Sequence, residues 1–479
     1  MALYLGLDVG TTKVAATIVD AATGAQLVTE RAPQPEPFPA LPGRSEWDAR
    51  AIRDRALAVG RAAVTASGRA DQIAAIGVTG QQHGGLLVST APGDDLRPLT
   101  PLIGWQDKRA DEPGADGVTP LAALHARLVG LDTRGTGCAI ASGFLGTTLF
   151  WLAQRDELPT RDARVTFVPD YLVGGLCGAL PVTDPTDAGG AGLFDAAHGR
   201  WHAGMLAALD LPAALLPPVA PTGTLLGTLG AAGAAALGLP TGVPVMNALG
   251  DNQASFFGSV GVATDALLVN VGTGGQVSAI TPRFARGALL ETRPYLAGSY
   301  LLVGAGIVGG KSYALLRDFF RQVGRDLFGV EPPDDLYPAI NALAAAVPPG
   351  SDGLHCDPRF GGNRYDPDQR GAFVGLDART LTPGHLARAL LEGVATTFHD
   401  LYGTMQDAGV APRTRLIGSG NGLRQNPVLT TLIAERFGLP LLRPAHHEEA
   451  AYGAALLAAV ATGELTSDEA TSRLRYEQV

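Results

Sequence analysis

The chain has 479 residues, a length that at roughly 100 to 200 residues per domain predicts two or three globular domains. Its net charge is −10 and only 17% of its residues are charged, so it offers no basic field for nucleic acid or an anionic membrane. Its three scattered cysteines do not form the pattern of a disulfide framework, and the first residues lack the pattern of a secretion leader. We therefore expect a cytoplasmic protein that binds neither nucleic acid nor membrane.

The first 20 residues predict a β-hairpin with a polar tip. An apolar run from Leu3 to Leu7 leads into Asp8-Val9-Gly10-Thr11-Thr12, and a second β-branched run follows as far as Val19. Glycine allows a close approach of the main chain, and clustered N–H groups and hydroxyls hold phosphates. Because a carboxylate beside phosphates requires a cation, and Mg²⁺ prefers carboxylate, water and phosphate oxygens, the tip predicts a magnesium-dependent phosphate site.

A similar hairpin follows about half a chain later. Asp8 corresponds to Asn270 and Gly10 to Gly272, both at an offset of 262 residues. Two such hairpins predict a duplicated α/β architecture whose halves face each other across a cleft, although either tip alone could be an ordinary turn. We place the division after residue 244, which gives an N-terminal domain of residues 1–244 and a C-terminal domain of residues 245–479.

Asp251 is the predicted catalytic base. It follows an apolar run from Val243 to Leu249, at the point where a strand meets the start of a helix. Open α/β sheets place their ligands at this edge, and a carboxylate there can accept a hydroxyl proton during attack on phosphorus. The alternative is that Asp251 only caps the helix.

Two short segments of the first half have the composition of a sugar pocket. Gln82 and His83 form one segment, and Trp105 and Asp107 lie in the other. Such a pocket requires hydrogen-bonding side chains for the hydroxyls and an aromatic face for the C–H side of the carbon chain. Taken alone, His83 is better explained as a structural histidine than as a ligand.

Seven segments in one order make the chain resemble the FGGY carbohydrate kinases. They are Asp8-Val9-Gly10-Thr11-Thr12, Gly80-Gln81-Gln82-His83-Gly84, Trp105-Gln106-Asp107-Lys108-Arg109, Gly250-Asp251-Asn252-Gln253, Asn270-Val271-Gly272-Thr273-Gly274, Gly418-Ser419-Gly420-Asn421 and Glu449-Ala450-Ala451-Tyr452-Gly453-Ala454-Ala455. Three further stretches resemble the sedoheptulokinases within that family: Ser142-Gly143-Phe144, Leu249 to Ser255, and Gly309-Gly310-Lys311.

The resemblance implies two actin-like, ribonuclease-H-like domains flanking a catalytic cleft that closes on MgATP and a sugar. It implies a nucleotide site formed by Asp8, Gly10, Thr11, Thr12, Lys13, Gly272, Thr273, Gly274, Gly310, Gly420 and Asn421. The implied sugar side consists of Gln82, His83, Trp105, Asp107, Asp251 and Asn252. Asp8 and Asp251 are the implied Mg²⁺ residues, through water.

The expected reaction is ATP-dependent phosphorylation of a terminal primary hydroxyl of a ketose, with sedoheptulose giving sedoheptulose 7-phosphate. A kinase for a pentulose, such as xylulose or ribulose, or for a polyol is the alternative within the family. A non-catalytic actin-like nucleotide-binding protein is the alternative outside it. Gly143 matches a tyrosine of glycerol kinases, so we expect a deeper pocket here. The sequence does not decide whether the protein forms a homodimer.

Overall fold

The computed structural model describes residues 2–39, 42–159, 161–272, 274–307, 309–361, 366 and 368–479. Two seven-stranded sheets dominate these ranges, one in each half of the chain. None of the helices in the described ranges has the length and the apolar character that crossing a bilayer requires.

Among its described residues, the first half contains thirteen strands and seven α-helices. The strands are β1 (Leu3–Val9), β2 (Lys13–Asp20), β3 (Ala25–Pro33), β4 (Glu46–Trp47), β5 (Ile73–Gly80), β6 (Leu86–Ser89), β7 (Leu102–Ile103), β8 (Ala163–Thr166), β9 (Phe194–Asp195), β10 (Arg200–Trp201), β11 (Leu225–Thr228), β12 (Pro244–Met246) and β13 (Leu249–Gly250). The helices are α1 (Ala49–Ser67), α2 (Pro120–Leu128), α3 (Leu145–Ala153), α4 (Val168–Cys177), α5 (Pro185–Gly190), α6 (Ala203–Ala208) and α7 (Ala231–Leu237).

The second half starts with a helix and continues into the other large sheet. Its helices are α8 (Asp251–Val260), α9 (Gly310–Phe328), α10 (Tyr337–Ala345), α11 (Pro383–Asp407), α12 (Asn421–Gln425), α13 (Pro427–Phe437), α14 (Glu449–Ala461) and α15 (Ser467–Ser472). Its strands are β14 (Ala266–Val271), β15 (Gly275–Thr281), β16 (Leu290–Pro294), β17 (Tyr300–Ile307), β18 (His355–Asp357), β19 (Ala372–Val374), β20 (Arg415–Ser419), β21 (Leu441–Pro444) and β22 (Tyr476–Gln478).

The two large sheets repeat one arrangement. The first has the order β11-β12-β5-β1-β2-β3, with β13 also paired to β5, and the second has the order β16-β17-β15-β14-β20-β21-β22. β1 is antiparallel to β2 and parallel to β5, and β14 is likewise antiparallel to β15 and parallel to β20. The central strands β1 and β14 are buried along nearly their whole length, as expected for strands covered on both faces. The duplicated α/β fold predicted from the two hairpins is therefore confirmed.

Helices α8 and α14 join the two halves. The apolar cluster around them combines Tyr4 and Met246 of the first half with Phe257 and Tyr452 of the second. Helix α14 packs so closely on the first sheet that a Cβ on Gly6 would lie 1.9 Å from the carbonyl oxygen of Ala451. Glycine is thus required in β1 because any side chain there would push the two halves apart.

The sheets change over between Gly250 at the end of β13 and Ala266 at the start of β14. The division predicted after residue 244 lies at the first residue of β12, which pairs with β5 in the first sheet. The chain therefore leaves the first sheet directly into α8, and the residue at that junction is Asp251.

Candidate active site

The first hairpin tip is held in place by side chains from outside the hairpin. β1 and β2 pair as far as Val9 and Val14, which leaves residues 10–13 to form the turn. Gln34 fixes this turn, because its Nε2 donates to the Gly10 carbonyl at 2.6 Å and its backbone N–H donates to the Thr12 carbonyl at 3.0 Å. The sequence did not indicate this role for Gln34, since only a folded β3 edge brings it to the tip.

Thr11 connects the phosphate tip to the predicted sugar side. The indole Nε1 of Trp105 donates to Thr11 Oγ1 at 3.0 Å, while the Trp105 side chain stays 40% exposed. Two residues that the sequence assigned to different ligands are therefore in direct contact, and the sugar and phosphate sides meet at this point.

Asp8 supplies a buried carboxylate beside the tip. It is only 8% exposed, and its Oδ1 makes no hydrogen bond to any described residue. Burial raises the pKa of Asp8 well above its usual range, and the nearby negative charges of Asp251 and Glu448 raise it further. An orphaned carboxylate oxygen close to a second carboxylate fits the Mg²⁺ of MgATP, which Asp8 and Asp251 would hold if the predicted roles are right.

Lys13 pairs with the opposite half of the molecule. Its Nζ lies 2.6 Å from Glu448 Oε2, and Glu448 precedes α14 in the left-handed backbone region with φ 57°. The lysine side chain remains 39% exposed at the end of the hairpin tip. A contact with ATP phosphates remains a prediction for this residue, and the ion pair places its ammonium on the boundary between the two halves.

The second hairpin tip forms one end of a cavity of about 460 Å³. The Gly272 N–H donates to the Gly274 carbonyl at 2.9 Å, and the Gly310 N–H donates to the Gly272 carbonyl at 3.1 Å. Thr273, the predicted phosphate-binding residue of this tip, lies outside the described residues. Three predicted nucleotide residues line the cavity, namely Gly272, Gly310 and Asn421.

The walls of this cavity suit an adenosine. Tyr313 and Tyr337 stack at 5.5 Å between ring centroids, and the Tyr313 hydroxyl donates to Asn341 Oδ1 at 2.5 Å. Apolar side chains complete the walls, and they are Leu391, Val394 and Leu429. Apolar and aromatic walls with a few amide groups are typical of sites for small cofactors.

Gly420 allows the tight turn that brings Asn421 to the cavity. Its φ is 89°, and a Cβ on it would lie 2.4 Å from the Val271 carbonyl oxygen. This glycine therefore allows β20 to turn tightly into α12 against β14, so that Asn421 stands at the first position of α12 beside the cavity.

Asp251 stands at the head of α8, as the sequence predicted, where the chain leaves the first sheet. Desolvation raises the pKa of its carboxyl to about 6, and the positive charge of Arg293 opposes this rise. Arg293 lies on β16 and pairs with Glu291 Oε2 at 2.6 and 3.0 Å. A carboxyl group with this pKa can accept a proton near neutral pH.

Gln82 and His83, the residues predicted to bind the sugar, follow β5, and Gln82 packs on Gly250, the residue before Asp251. Gln82 Nε2 donates to the Thr186 carbonyl at 2.8 Å, and His83 Nδ1 lies 2.9 Å from the Gly190 carbonyl oxygen. The His83 ring stacks on Phe144 with centroids 4.2 Å apart, and its backbone is left-handed with φ 74°. A non-glycine residue held in this region is strained, a feature that clusters at functional sites.

Asp107 and Asn252 have protein partners in this structure. The fully buried Asp107 carboxylate accepts from the Ser45 N–H at 2.8 Å and from three Arg109 nitrogens at 2.7 to 2.9 Å. Its two oxygens therefore have no vacant acceptor for a sugar hydroxyl. Asn252 Nδ2 donates to Gln276 Oε1 at 2.6 Å, while its buried Oδ1 makes no hydrogen bond to the described chain.

The backbone conformation explains why residue 143 is a glycine. Its φ is 82°, and a Cβ on it would lie 2.0 Å from the Trp105 carbonyl oxygen. Two loops approach each other closely here, so every side chain at residue 143 would distort the backbone beside Trp105. The glycine is therefore explained by the turn and does not indicate the deeper pocket that the sequence predicts.

The fold is that of a two-domain kinase of actin-like architecture, with a cavity that suits a nucleotide in one half and the buried carboxyl of Asp251, the predicted base, at the junction with the other. The N-terminal domain model of the FGGY family of carbohydrate kinases matches residues 3–258, and the C-terminal domain model of that family matches residues 267–462. The chain therefore belongs to the FGGY carbohydrate kinases.

Individual relatives agree with the family. The chain is 34% identical to a glycerol kinase of Alkalilimnicola ehrlichii over 97% of this chain and 91% of that protein. It is 32% identical to glycerol kinase 2 of Streptomyces avermitilis, with 95% and 88% of the two chains covered. The crystal structure of a xylulose kinase from Rhodospirillum rubrum superposes with a TM-score of 0.86 at 29% identity, covering 100% of this chain and 94% of that one.

These findings show an ATP-dependent kinase for a sugar or polyol. FGGY kinases use ATP as the phosphoryl donor, generally with Mg²⁺. The three relatives are named glycerol and xylulose kinases, and none of the three is named a sedoheptulokinase.

Proposed function

We propose that the protein transfers the γ-phosphoryl group of MgATP to the terminal primary hydroxyl of a ketose, with sedoheptulose as the preferred substrate. The observation that carries the proposal is the position of Asp251. Its carboxyl lies at the head of α8, close enough to Asp8 for their charges to interact, and the strand before it pairs with the strand that leads to Gln82. This position supports a base that can serve both a sugar held by Gln82 and a phosphate at the first tip.

In the proposed step, Asp251 accepts the proton of the sugar hydroxyl while the hydroxyl oxygen bonds to the γ-phosphorus. The bond from that phosphorus to the β,γ-bridging oxygen breaks, and ADP leaves with the electron pair. The Mg²⁺ of the nucleotide neutralises phosphate charge when bound. The protein orients the reactants through Thr11 and Asp8 on one side and Gln82 and His83 on the other.

One feature of the site supports a ketose longer than glycerol, because Gln82 and His83 add hydrogen-bonding groups for several hydroxyls. The resemblance of three segments to sedoheptulokinases points to the seven-carbon sugar. The second candidate is a glycerol or xylulose kinase, because the three relatives have these names.

The test is ADP release with glycerol, ribulose, xylulose and sedoheptulose, each against a blank without sugar. We expect kcat/KM to be highest for sedoheptulose and lowest for glycerol. A maximum at glycerol or xylulose would support the second candidate instead. ADP formation that does not depend on any sugar would contradict the kinase and favour an actin-like ATPase.

A further inference from the structure

Thr186, in the first turn of α5, touches both the sugar side and the residue before the general base. We propose that Thr186 is a positioning residue that fixes the position of Gln82 relative to Asp251, so that a sugar bound by Gln82 presents its hydroxyl to the base. The inference rests on the proposed function, since it assumes that Gln82 contacts the sugar and Asp251 accepts the proton.

Thr186 makes these two contacts with two different atoms. Its carbonyl oxygen accepts from Gln82 Nε2 at 2.8 Å, and its hydroxyl oxygen accepts from the Gly250 N–H at 2.8 Å. Gly250 is the residue before Asp251 and caps the start of α8. Thr186 itself is only 1% exposed, so water does not compete for either bond.

Asp184 fixes the orientation of the Thr186 hydroxyl. The Gly250 N–H can only donate, so the hydroxyl must direct its own proton elsewhere, and Asp184 accepts it at 2.7 and 2.9 Å. Asp184 also accepts from the Asp187 N–H at 2.9 Å and from the Thr222 hydroxyl at 2.6 Å. The carboxylate is thus held by three donors, and the hydroxyl has one available orientation.

Gln82 and Gly250 also meet directly. A Cβ on Gly250 would lie 2.0 Å from Gln82 Nε2 and 2.3 Å from its Cδ, so the amide packs on the bare Cα of the residue before the base. Below them, Leu249 pairs with Thr79, and the Thr79 hydroxyl donates to the Leu249 carbonyl at 2.8 Å. A displacement of either segment is therefore passed to the other.

This arrangement matters because phosphoryl transfer depends on positioning. The hydroxyl oxygen and the base must be held in near-attack geometry, and a misplacement of about 1 Å can lower the rate roughly 10²-fold. Loss of the Thr186 hydroxyl would leave the Gly250 N–H buried without its acceptor, at the very point where α8 starts.

The experiment compares Thr186→Val, which has the same shape without a hydroxyl, with Thr186→Ser, which keeps the hydroxyl. We expect Thr186→Val to lower kcat about 10- to 100-fold on the best substrate, with the KM for ATP unchanged, and Thr186→Ser to recover most of the turnover. Thr17→Val is the matched control. It removes another fully buried threonine hydroxyl, whose 2.8 Å bond to Val28 lies in the sheet between β2 and β3, and should leave kcat unchanged.

A second measurement does not depend on catalysis. Hydrogen exchange in a peptide spanning residues 247–256 should become faster in Thr186→Val and stay at the wild-type rate in Thr17→Val. Unchanged exchange there, or an equal loss of kcat in Thr17→Val, would overturn the proposal. If Thr186→Val does not fold, Asp184→Asn decides, because it keeps the size of the side chain and removes the charge that orients the Thr186 hydroxyl. If the wild-type protein released no ADP with any of the sugars, the proposed function would be contradicted, but the exchange result would still stand.

Discussion

The two hairpin tips share a backbone frame but differ in polar chemistry. The pairing of β1 with β5 places Asp8 opposite Thr79, and the pairing of β14 with β20 places Asn270 opposite Ser419. In the second half, Asn270 Nδ2 donates to Ser419 Oγ at 2.7 Å. In the first half, the Thr79 hydroxyl donates instead to the Leu249 carbonyl, and Asp8 Oδ1 makes no hydrogen bond within the described chain.

The difference shows how a duplicated fold divides its work. The strand-end polar residue of the second half joins two strands, whereas its equivalent in the first half stays available for a ligand. The first sheet also leads to Asp251 through β13, so both carboxylates belong to the strand ends of the first half. The second half contains the cavity lined by the predicted nucleotide residues Gly272 and Asn421. We therefore expect phosphoryl transfer at the junction between the half that contains Asp8 and the half that contains this cavity.

The largest effect expected from this division is at Asp251. Asp251→Asn keeps the size of the side chain and removes the base, so kcat should fall by about 10²- to 10⁴-fold while sugar affinity changes less. Asp265→Asn is the control, because this carboxylate pairs with Arg415 at 2.8 Å on the exposed surface before β14. The cap of α8 is Gly250 and not Asp251, so the helix-cap alternative does not apply, and unchanged turnover in a folded Asp251→Asn protein would show that the residue is not the base.

Asp8→Asn gives the first tip the chemistry of the second. The amide cannot face Mg²⁺ as a carboxylate does, so kcat/KM for MgATP should fall by roughly 10²- to 10³-fold, the scale for loss of one preorganised electrostatic group. Titration with Mg²⁺ at fixed ATP should show a higher requirement for the ion. An unaltered Mg²⁺ requirement would mean that the tip holds the nucleotide without this carboxylate.

The local features of the site could be predicted from the sequence. The alternation of apolar runs with a Gly/Thr turn predicted both tips, and the strand before Asp251 placed that residue at a sheet edge. Each of these depends on neighbours within about ten residues, where periodicity and turn chemistry are informative.

Contacts between distant segments could not be predicted. Lys13 meets Glu448, and Arg293 faces Asp251, only because α14 and β16 pack at the junction of the two halves. Thr186 follows Asp184 and Pro185 as in an ordinary helix start, so the local sequence does not indicate a bond from Thr186 to Gly250. The sequence predicts a deeper pocket at Gly143, whereas the positive φ of this residue shows that the backbone requires a glycine.

The raised pKa of Asp251 also predicts how activity depends on pH. The pKa of Asp251 is raised to about 6 by desolvation, and the base works only when ionised, so kcat/KM should be constant above this pH and decline below it. Well below pH 6 the decline should approach about tenfold per pH unit. Because the positive charge of Arg293 opposes the rise in pKa, Arg293→Met should move the decline to higher pH. A profile that stays flat down to pH 5 would exclude Asp251 as the base.

The smallest expected effect is at Asn270, and it tests the other side of the comparison. Asn270→Ala removes the bond to Ser419 that joins β14 to β20, so it should lower the free energy of unfolding by about 1 kcal/mol, the usual net value of such a bond. The Mg²⁺ requirement should stay at the wild-type level, because in this half the amide is satisfied by the neighbouring strand and does not face the ion. Denaturant unfolding and Mg²⁺ titration on the same preparation separate the two effects. If Asn270→Ala raised the Mg²⁺ requirement as much as Asp8→Asn, the two tips would share the ion, and the division of work between the halves would be wrong.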